Sequence, residues 1–253
     1  MGKKRKKRVV LGLDIGGTGI KGALVDTKKG QLVTDRHRIP TPQPATPEAV
    51  TDTVVAIVKH FGWDRRVGCT MPARVRRGTA ETASNIDPAW IGTDAAKLFR
   101  DATGCKTLVL NDADAAGIAE MEFGAGRGCD GTVVMLTLGT GIGSAVFING
   151  ELLPNTEFGH LELDGLILEH RASNAVRKNE ELPWETWAER VQEVLDHIEF
   201  IVSPDLLIIG GGVSRPHRWE LFAHLLQTRA RLEPAQLENE AGIVGAAYQA
   251  RKK

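Results

Sequence analysis

The same four letters form two glycine turns nearly half a chain apart, Gly17-Thr18-Gly19-Ile20 and Gly139-Thr140-Gly141-Ile142. Each follows an apolar run, VVLGLDI at 9–15 and TVVMLTL at 132–138, and each leads into a second run that reads as a return strand. Four letters alone can coincide. The matching strands on both sides turn the coincidence into a pattern, and it predicts two related α/β lobes, each opening with a glycine hairpin.

The rest of the pattern fills those lobes. Residues 23–25 and 31–39 read as further strands about a Lys28-Lys29-Gly30 turn, and four prolines in 40–47 make a loop. Pro47-Glu48 opens a helix whose apolar positions Val50, Val54, Ile57, Val58 and Phe61 recur at helical spacing. Strands follow at 67–70 and 106–110. The second ends at Asn111-Asp112, where a helix over 113–122 starts with the Asp side chain available as its cap. In the second half, 144–148 is a strand and Asn149-Gly150 a hairpin turn. A helix over 183–201 puts Trp184, Trp187, Val191, Val194, Leu195 and Ile198 on one face. The buried strand 206–209 runs into Gly210-Gly211-Gly212, and AGIVGAAYQA makes a small-residue helix near the end. The expected division is a basic, disordered tail at 1–8, a first lobe at 9–112 and a second at 113–253. The last helix is a candidate to pack back on the first lobe.

Charge excludes some functions. Lys+Arg and Asp+Glu both number 32, so nothing draws the whole chain to nucleic acid or to a membrane. The run KKRKKR at 3–8 and the terminal RKK read as solvated tails, with a patch for a polyanion as the alternative. Cys69, Cys105 and Cys129 stand far apart without metal-ligand spacing, and an odd count argues against a disulfide framework. They read as reduced thiols of a cytoplasmic protein. No apolar run approaches the roughly 18 residues of a membrane span.

Chemistry concentrates at a few places. A glycine turn exposes backbone N–H groups with no side chain in the way, which suits phosphate oxygens; the alternative is a mere tight hairpin. Gly17–Gly22 fits G-x-G-x-x-G, but a strand follows instead of a helix, so the dinucleotide fingerprint lacks its context. No G-x-x-x-x-G-K-[ST] occurs. Asp112, at a strand end, could accept the proton of a hydroxyl nucleophile or simply cap its helix. Asn111 adds a second polar group there. Residues 155–162, NTEFGHLE, pack an amide, carboxylates and an imidazole around a glycine, a set suited to binding sugar hydroxyls.

The segments LGLDIGGTGIKGALVD, ASNID, LNDADAAG, LTLGTGIGSAVF, NTEFGHLELDG, PDLLIIGGGVS and AGIVGAA, in this order, resemble the ROK sugar kinases, and within them the bacterial polyphosphate glucokinases. The likeness runs from about Val9 to Ala247. It implies an α/β, actin-like (ribonuclease H-like) kinase fold whose two lobes close over a sugar. Asp112 would be the general base on the 6-hydroxyl of glucose. Asn85, Asn111, Glu157, His160 and Glu169 would hold the sugar. Asp14, Gly16, Gly17, Thr18, Lys21, Thr140, Gly141, Gly211 and Gly212 would face the phosphate donor, polyphosphate or ATP, with Mg²⁺ near Asp14. A homodimer is usual among such proteins, and the apolar helix 183–201 with its tryptophans is a candidate for the interface.

The chain also departs from that family. Most ROK kinases carry a zinc-binding cysteine cluster between the Gly-His pair and the downstream Glu. Here only residues 161–168 separate His160 from Glu169 and none is Cys, so no structural zinc is expected. Met71-Pro72-Ala73 lacks a glycine that many relatives have. Lys21, Arg74, Arg76, Arg77 and Arg127 are candidates for a basic track along a polyphosphate chain. The alternatives are an ATP-dependent hexokinase for glucose, mannose or an N-acetylhexosamine, and a non-catalytic sugar sensor. ROK repressors carry an N-terminal helix-turn-helix domain, whereas only eight residues precede the first strand here.

Overall fold

The computed structural model describes residues 8–84 and 86–252. These form two compact units, residues 8–119 with 240–252, and residues 120–239. The division falls inside a helix, after Ala119, and the last helix belongs to the first unit.

The first unit is built on β1 (Val9–Gly16), β2 (Gly19–Asp26), β3 (Gln31–Leu32), β4 (His37–Ile39), β5 (Val67–Met71) and β8 (Thr107–Asn111). Their order is β3-β2-β1-β5-β8, with β4 also on β2. The β1–β2 and β2–β3 pairs are antiparallel and the β1–β5 and β5–β8 pairs parallel. The second unit repeats this with β9 (Thr132–Leu138), β10 (Ile142–Ile148), β11 (Glu151–Leu153), β14 (Leu206–Gly210) and β15 (Arg231–Pro234), in the order β11-β10-β9-β14-β15. Again two antiparallel pairs are followed by two parallel ones. The repeat read from four letters is thus a repeat of a whole sheet.

The two turns nevertheless close differently. Gly16 pairs with Gly19, leaving Gly17-Thr18 as a two-residue turn. Ile142 pairs with Leu138, leaving the three residues 139–141 outside the ladder. The letter before each motif differs, Gly16 against Leu138, and the leucine is buried at 1% exposure. The segment expected as one strand over 31–39 is two, β3 and β4, interrupted by a bend at 33–36.

Helix α1 (Pro47–His60) starts where Thr46 accepts from the Ala49 N–H at 3.3 Å and Pro47 supplies a preset φ. It buries Val50, Val54, Ile57 and Val58 in the first core, with Leu11, Leu13, Ile20, Trp90 and Phe99. Each such side chain contributes about 1.5–3 kcal/mol by leaving water. Helix α2 (Ala95–Thr103) covers the same core through Ala95 and Phe99, and α3 (Asp112–Phe123) follows β8. Two short strands, β6 (Val75–Arg76) and β7 (Thr79–Ala80), form a hairpin with Arg77 and Gly78 at positive φ in its turn.

In the second unit, β12 (Glu162–Leu163) and β13 (Leu166–Ile167) lead to two short helices, α4 (Leu168–Ala172) and α5 (Asn174–Asn179). Helix α6 (Trp184–Val202) buries Trp187, Ala188, Val191, Val194, Leu195 and Ile198 in its own unit's core. This corrects the expectation for its apolar face: the face is internal, and only Phe200 and Ile201 at the helix end stand exposed. A four-residue helix, α7 (Pro216–Trp219), follows the glycines after β14.

The final helix, α8 (Ala241–Lys252), lies on the first unit. Its small residues allow very close approach. A Cβ at Gly12 of β1 would meet the Ile243 carbonyl, one at Gly68 of β5 the Ala246 carbonyl, and one at Gly245 the Ala115 carbonyl of α3. No described helix is long and apolar enough to cross a membrane.

Candidate active site

The candidate residues of the first unit gather at the C-terminal ends of β1 and β8. Asp14 sits in register with Lys21 on one side and Thr70 on the other. Partners in register share a sheet face, and they meet: Lys21 Nζ lies 3.1 Å from Asp14 Oδ2, and the Thr70 hydroxyl donates to Oδ1 at 2.9 Å. The turn beyond is braced by side chains that the sequence reading passed over. Thr41 Oγ1 donates to the Gly16 carbonyl at 2.5 Å, Gln43 Nε2 to that of Gly17 at 3.4 Å, and Arg38 Nη2 to that of Thr18 at 2.7 Å. Three successive carbonyls are thereby held, which fixes the peptide planes of the turn. A Cβ at Gly19 would lie 2.5 Å from Arg38 Nε, so a side chain there would displace the guanidinium that holds the Thr18 carbonyl.

At the end of β8, Asn111 and Asp112 divide the work differently from expectation. Asn111 is buried, and its Oδ1 accepts from the Asp114 N–H at 3.0 Å, so Asn111, one residue before α3, is the residue that caps it. Its Nδ2 donates to the Ala73 carbonyl at 3.1 Å. That contact ties the departing segment Met71-Pro72-Ala73 to the strand end. An amide has two N–H donors and two acceptor sites, so one of each remains for a ligand. The Asp112 side chain is exposed at the first residue of the helix, its Oδ1 2.9 Å from the Ala113 nitrogen. Asn85 lies outside the described residues.

The second unit brings Glu157, His160 and Glu169 together. His160 Nδ1 stands 3.4 Å from Glu157 Oε2, and its Nε2 3.8 Å from Glu169 Oε1. The loop carrying Glu157 is held by Ser144 of β10, whose Oγ donates to the Thr156 carbonyl at 2.8 Å and accepts from the Phe158 N–H at 3.0 Å. Gly159 packs so tightly that a Cβ would collide with the Ile142 carbonyl. Glu169 reaches the glycine turn itself: its Oε2 accepts from the Ile142 N–H at 3.3 Å and occupies the space where a Cβ on Gly141 would fall. The turn at 139–141 and the polar cluster are therefore one assembly.

The loop after β14 joins it. Gly211 has φ +86° and approaches β9 so closely that a Cβ would lie 2.7 Å from the Leu138 carbonyl. Ser214 Oγ donates to the Gly211 carbonyl at 3.0 Å, and Arg218 Nη1 to that of Gly212 at 2.9 Å. Thr140, Gly141, Gly211 and Gly212 thus share the C-terminal ends of the parallel strands β9 and β14, where α/β sheets bind ligands.

The magnesium expected near Asp14 fits its surroundings. Asp14, whose carboxylate pairs with Lys21 and accepts from Thr70, offers one oxygen ligand group, and among the described residues no group of three or more His, Cys, Asp or Glu could hold a metal. Magnesium commonly takes one or two carboxylates, keeps several waters and binds substrate phosphates, so this donor set suits an ion shared with a phosphate chain.

Of the basic-track candidates, Lys21 is paired with Asp14, and Arg76 lies 3.9 Å from Glu81 on an exposed hairpin. Two arginines absent from the sequence reading hold glycine-turn carbonyls, Arg38 that of Thr18 in the first unit and Arg218 that of Gly212 in the second.

Two sheets of the same strand order, each opening with a glycine hairpin, make the actin-like, ribonuclease H-like α/β fold that ROK sugar kinases have. The ROK family profile matches residues 10–178, and the chain belongs to the ROK family. It is 49% identical over 237 residues to a polyphosphate glucokinase of Mycobacterium tuberculosis (strain CDC 1551 / Oshkosh), covering 93% of this chain and 89% of that one. Among solved structures it matches the inorganic polyphosphate/ATP-glucomannokinase of Arthrobacter sp. strain KM with TM-score 0.91 and 45% identity, over 96% of this chain and 98% of that one. A ROK family glucokinase from Streptomyces griseus, in complex with glucose and AMPPNP, matches with TM-score 0.81 and 27% identity, over 97% and 100% of the two chains.

Proposed function

We propose that this chain is a polyphosphate-dependent glucokinase, which transfers the terminal phosphoryl group of inorganic polyphosphate to the 6-hydroxyl of glucose. The observation that carries the reading is the joining of Glu169 to the Gly141 turn, which places a sugar-type polar cluster and a phosphate-type turn in one rigid piece. Likeness to the mycobacterial polyphosphate glucokinase supports the donor and the sugar. Likeness to the Arthrobacter enzyme supports ATP as a second donor and mannose as a second acceptor.

In this reading Glu157, His160, Glu169, Asn111 and Asn85 orient the sugar. Asp112 accepts the proton of the 6-hydroxyl as its oxygen bonds to the terminal phosphorus; the bridging P–O bond breaks, and the shortened chain leaves with the electron pair. The braced turn at Gly16, Gly17 and Thr18, with Lys21, and the turns at Thr140, Gly141, Gly211 and Gly212 offer N–H groups and charge to the phosphate oxygens. Magnesium, held by Asp14, would neutralise charge on those oxygens. The same reading includes no structural zinc, a cytoplasmic setting and a homodimer to which the exposed Phe200 and Ile201 contribute.

Phosphorus NMR of a reaction of glucose, long-chain polyphosphate and Mg²⁺ tests it. A phosphomonoester on the 6-oxygen of glucose is the expected product. A spectrum that shows only polyphosphate and free phosphate refutes the proposal.

A further inference from the structure

Of the eight arginines of the second unit, four have a carboxylate partner, Arg171 with Glu193, Arg190 with Glu180, Arg215 with Glu238 and Arg231 with Glu233, and two more, Arg127 and Arg229, are exposed. Arg177 and Arg218 have no such partner among the described residues, although both are half-buried. A half-buried guanidinium without a counter-charge is costly unless something else supplies one.

Each is carried by a short helix that is tied to a glycine turn of this unit. Helix α5 is hung from the first turn, because the Ala175 N–H donates to the Gly139 carbonyl at 3.0 Å, and Arg177 follows two residues on. Its guanidinium is aimed by Asn174 Oδ1 at 3.3 Å and lies 3.9 Å above the Trp184 ring. Helix α7 is fastened to the other turn through Arg218 and the Gly212 carbonyl. Trp219, next to Arg218, and Trp184, beneath Arg177, both pack on Phe222. One aromatic cluster therefore lies beneath Arg177 and includes the residue next to Arg218. Burial, and then the charge of Arg218, lowers the pKa of Arg177, as expected of like charges held near each other.

We propose that Arg177 and Arg218 form a phosphate subsite beside the turns at 139–141 and 211–212, which holds phosphates of an inorganic polyphosphate chain beyond the one transferred. The inference rests on the donor reading above and deepens it. Two guanidiniums present forked donors to phosphate oxygens. Each phosphate of an inorganic chain carries charge, whereas a nucleotide presents an uncharged base and ribose at the same distance from its terminal phosphate. The Trp184 ring is already engaged by Phe222 and by Arg177, so it offers a base no free platform. The subsite thus discriminates between donors.

Two measurements test this. Calorimetric binding of inorganic tripolyphosphate needs no turnover: Arg218→Gln should weaken it about tenfold, as loss of one charge-assisted contact does, and Arg177→Gln likewise. Steady-state kinetics should show the polyphosphate KM rising in Arg218→Gln by about ten times more than the ATP KM. Arg218 sits on a short surface helix, so its variant decides the matter even if Arg177→Gln, which strips the cover from Trp184, fails to fold. Unaltered tripolyphosphate binding, or equal increases in both KM values, would overturn the subsite. Wild-type protein that binds tripolyphosphate through these arginines yet phosphorylates nothing with polyphosphate would instead overturn the donor reading alone.

Discussion

Asn111 Oδ1 accepts the backbone N–H of Asp114 at 3.0 Å, so the side chain before Asp112 closes the first turn of α3. Asp112, the next residue, has its own Oδ1 2.9 Å from the Ala113 nitrogen. Asn111→Ala should lower stability by about 1–2 kcal/mol through loss of the cap and of the Ala73 contact. Urea unfolding measures this. A variant as stable as wild type would mean that the helix is capped by other means.

Asp112→Asn preserves shape and hydrogen-bonding reach but removes the proton acceptor. Glucose binding, read by calorimetry, should be retained, and kcat should fall by about two to four orders of magnitude. Turnover close to that of wild type would remove Asp112 from the base role.

Glu120 is fully buried, and it accepts three backbone N–H groups: Ala125 at 2.9 Å on one oxygen, Gln236 at 2.9 Å and Leu237 at 2.8 Å on the other. It links the C-terminal turn of α3 to the segment after β15. Glu120→Gln turns one acceptor into a donor facing N–H groups and should cost about 2–3 kcal/mol. The midpoint of thermal unfolding should fall, while the KM for glucose in the folded fraction stays put. An unchanged midpoint would show that these contacts contribute little.

Burial, with the Asp14 carboxylate adding to it, drives the Cys69 thiol far up, and burial raises Cys105 against a partly offsetting hydrogen bond from Thr103. The Cys69 thiol stays protonated in the folded protein and Cys105 ionises less readily there than in the unfolded chain, where both ionise near pH 8.5 or so. Above that pH the unfolded state holds fewer protons, so stability falls as pH rises and is fully present below it. Cys69→Ala should flatten the alkaline side of a stability–pH curve. In native protein, a thiol reagent should label Cys129 first, since Cys69 and Cys105 are buried. Equal labelling of all three would contradict their burial.

The sheet repeat, the major helices and the polar cluster were legible because each leaves a local mark: a glycine turn between apolar runs, a helical spacing, or several polar groups within a few residues. Thr70 was not, since only strand pairing sets it opposite Asp14. Arg38, Thr41 and Gln43 were not, because their partners are carbonyls, which every residue carries. The difference between the two identical turns lay in register, which sequence letters do not record. The tryptophans of α6 were legible as apolar, but not as facing Phe222, some 35 residues on and inside the same core. Arg177 and Arg218 look like ordinary surface charges until the absence of carboxylate partners among the described residues is set beside their partial burial.

The most direct test of the central claim is kcat/KM for glucose 6-phosphate formation with Mg²⁺, measured side by side with long-chain polyphosphate and with ATP. The account predicts turnover with both and a higher kcat/KM for polyphosphate. Turnover with ATP alone would keep a ROK sugar kinase and contradict the polyphosphate donor.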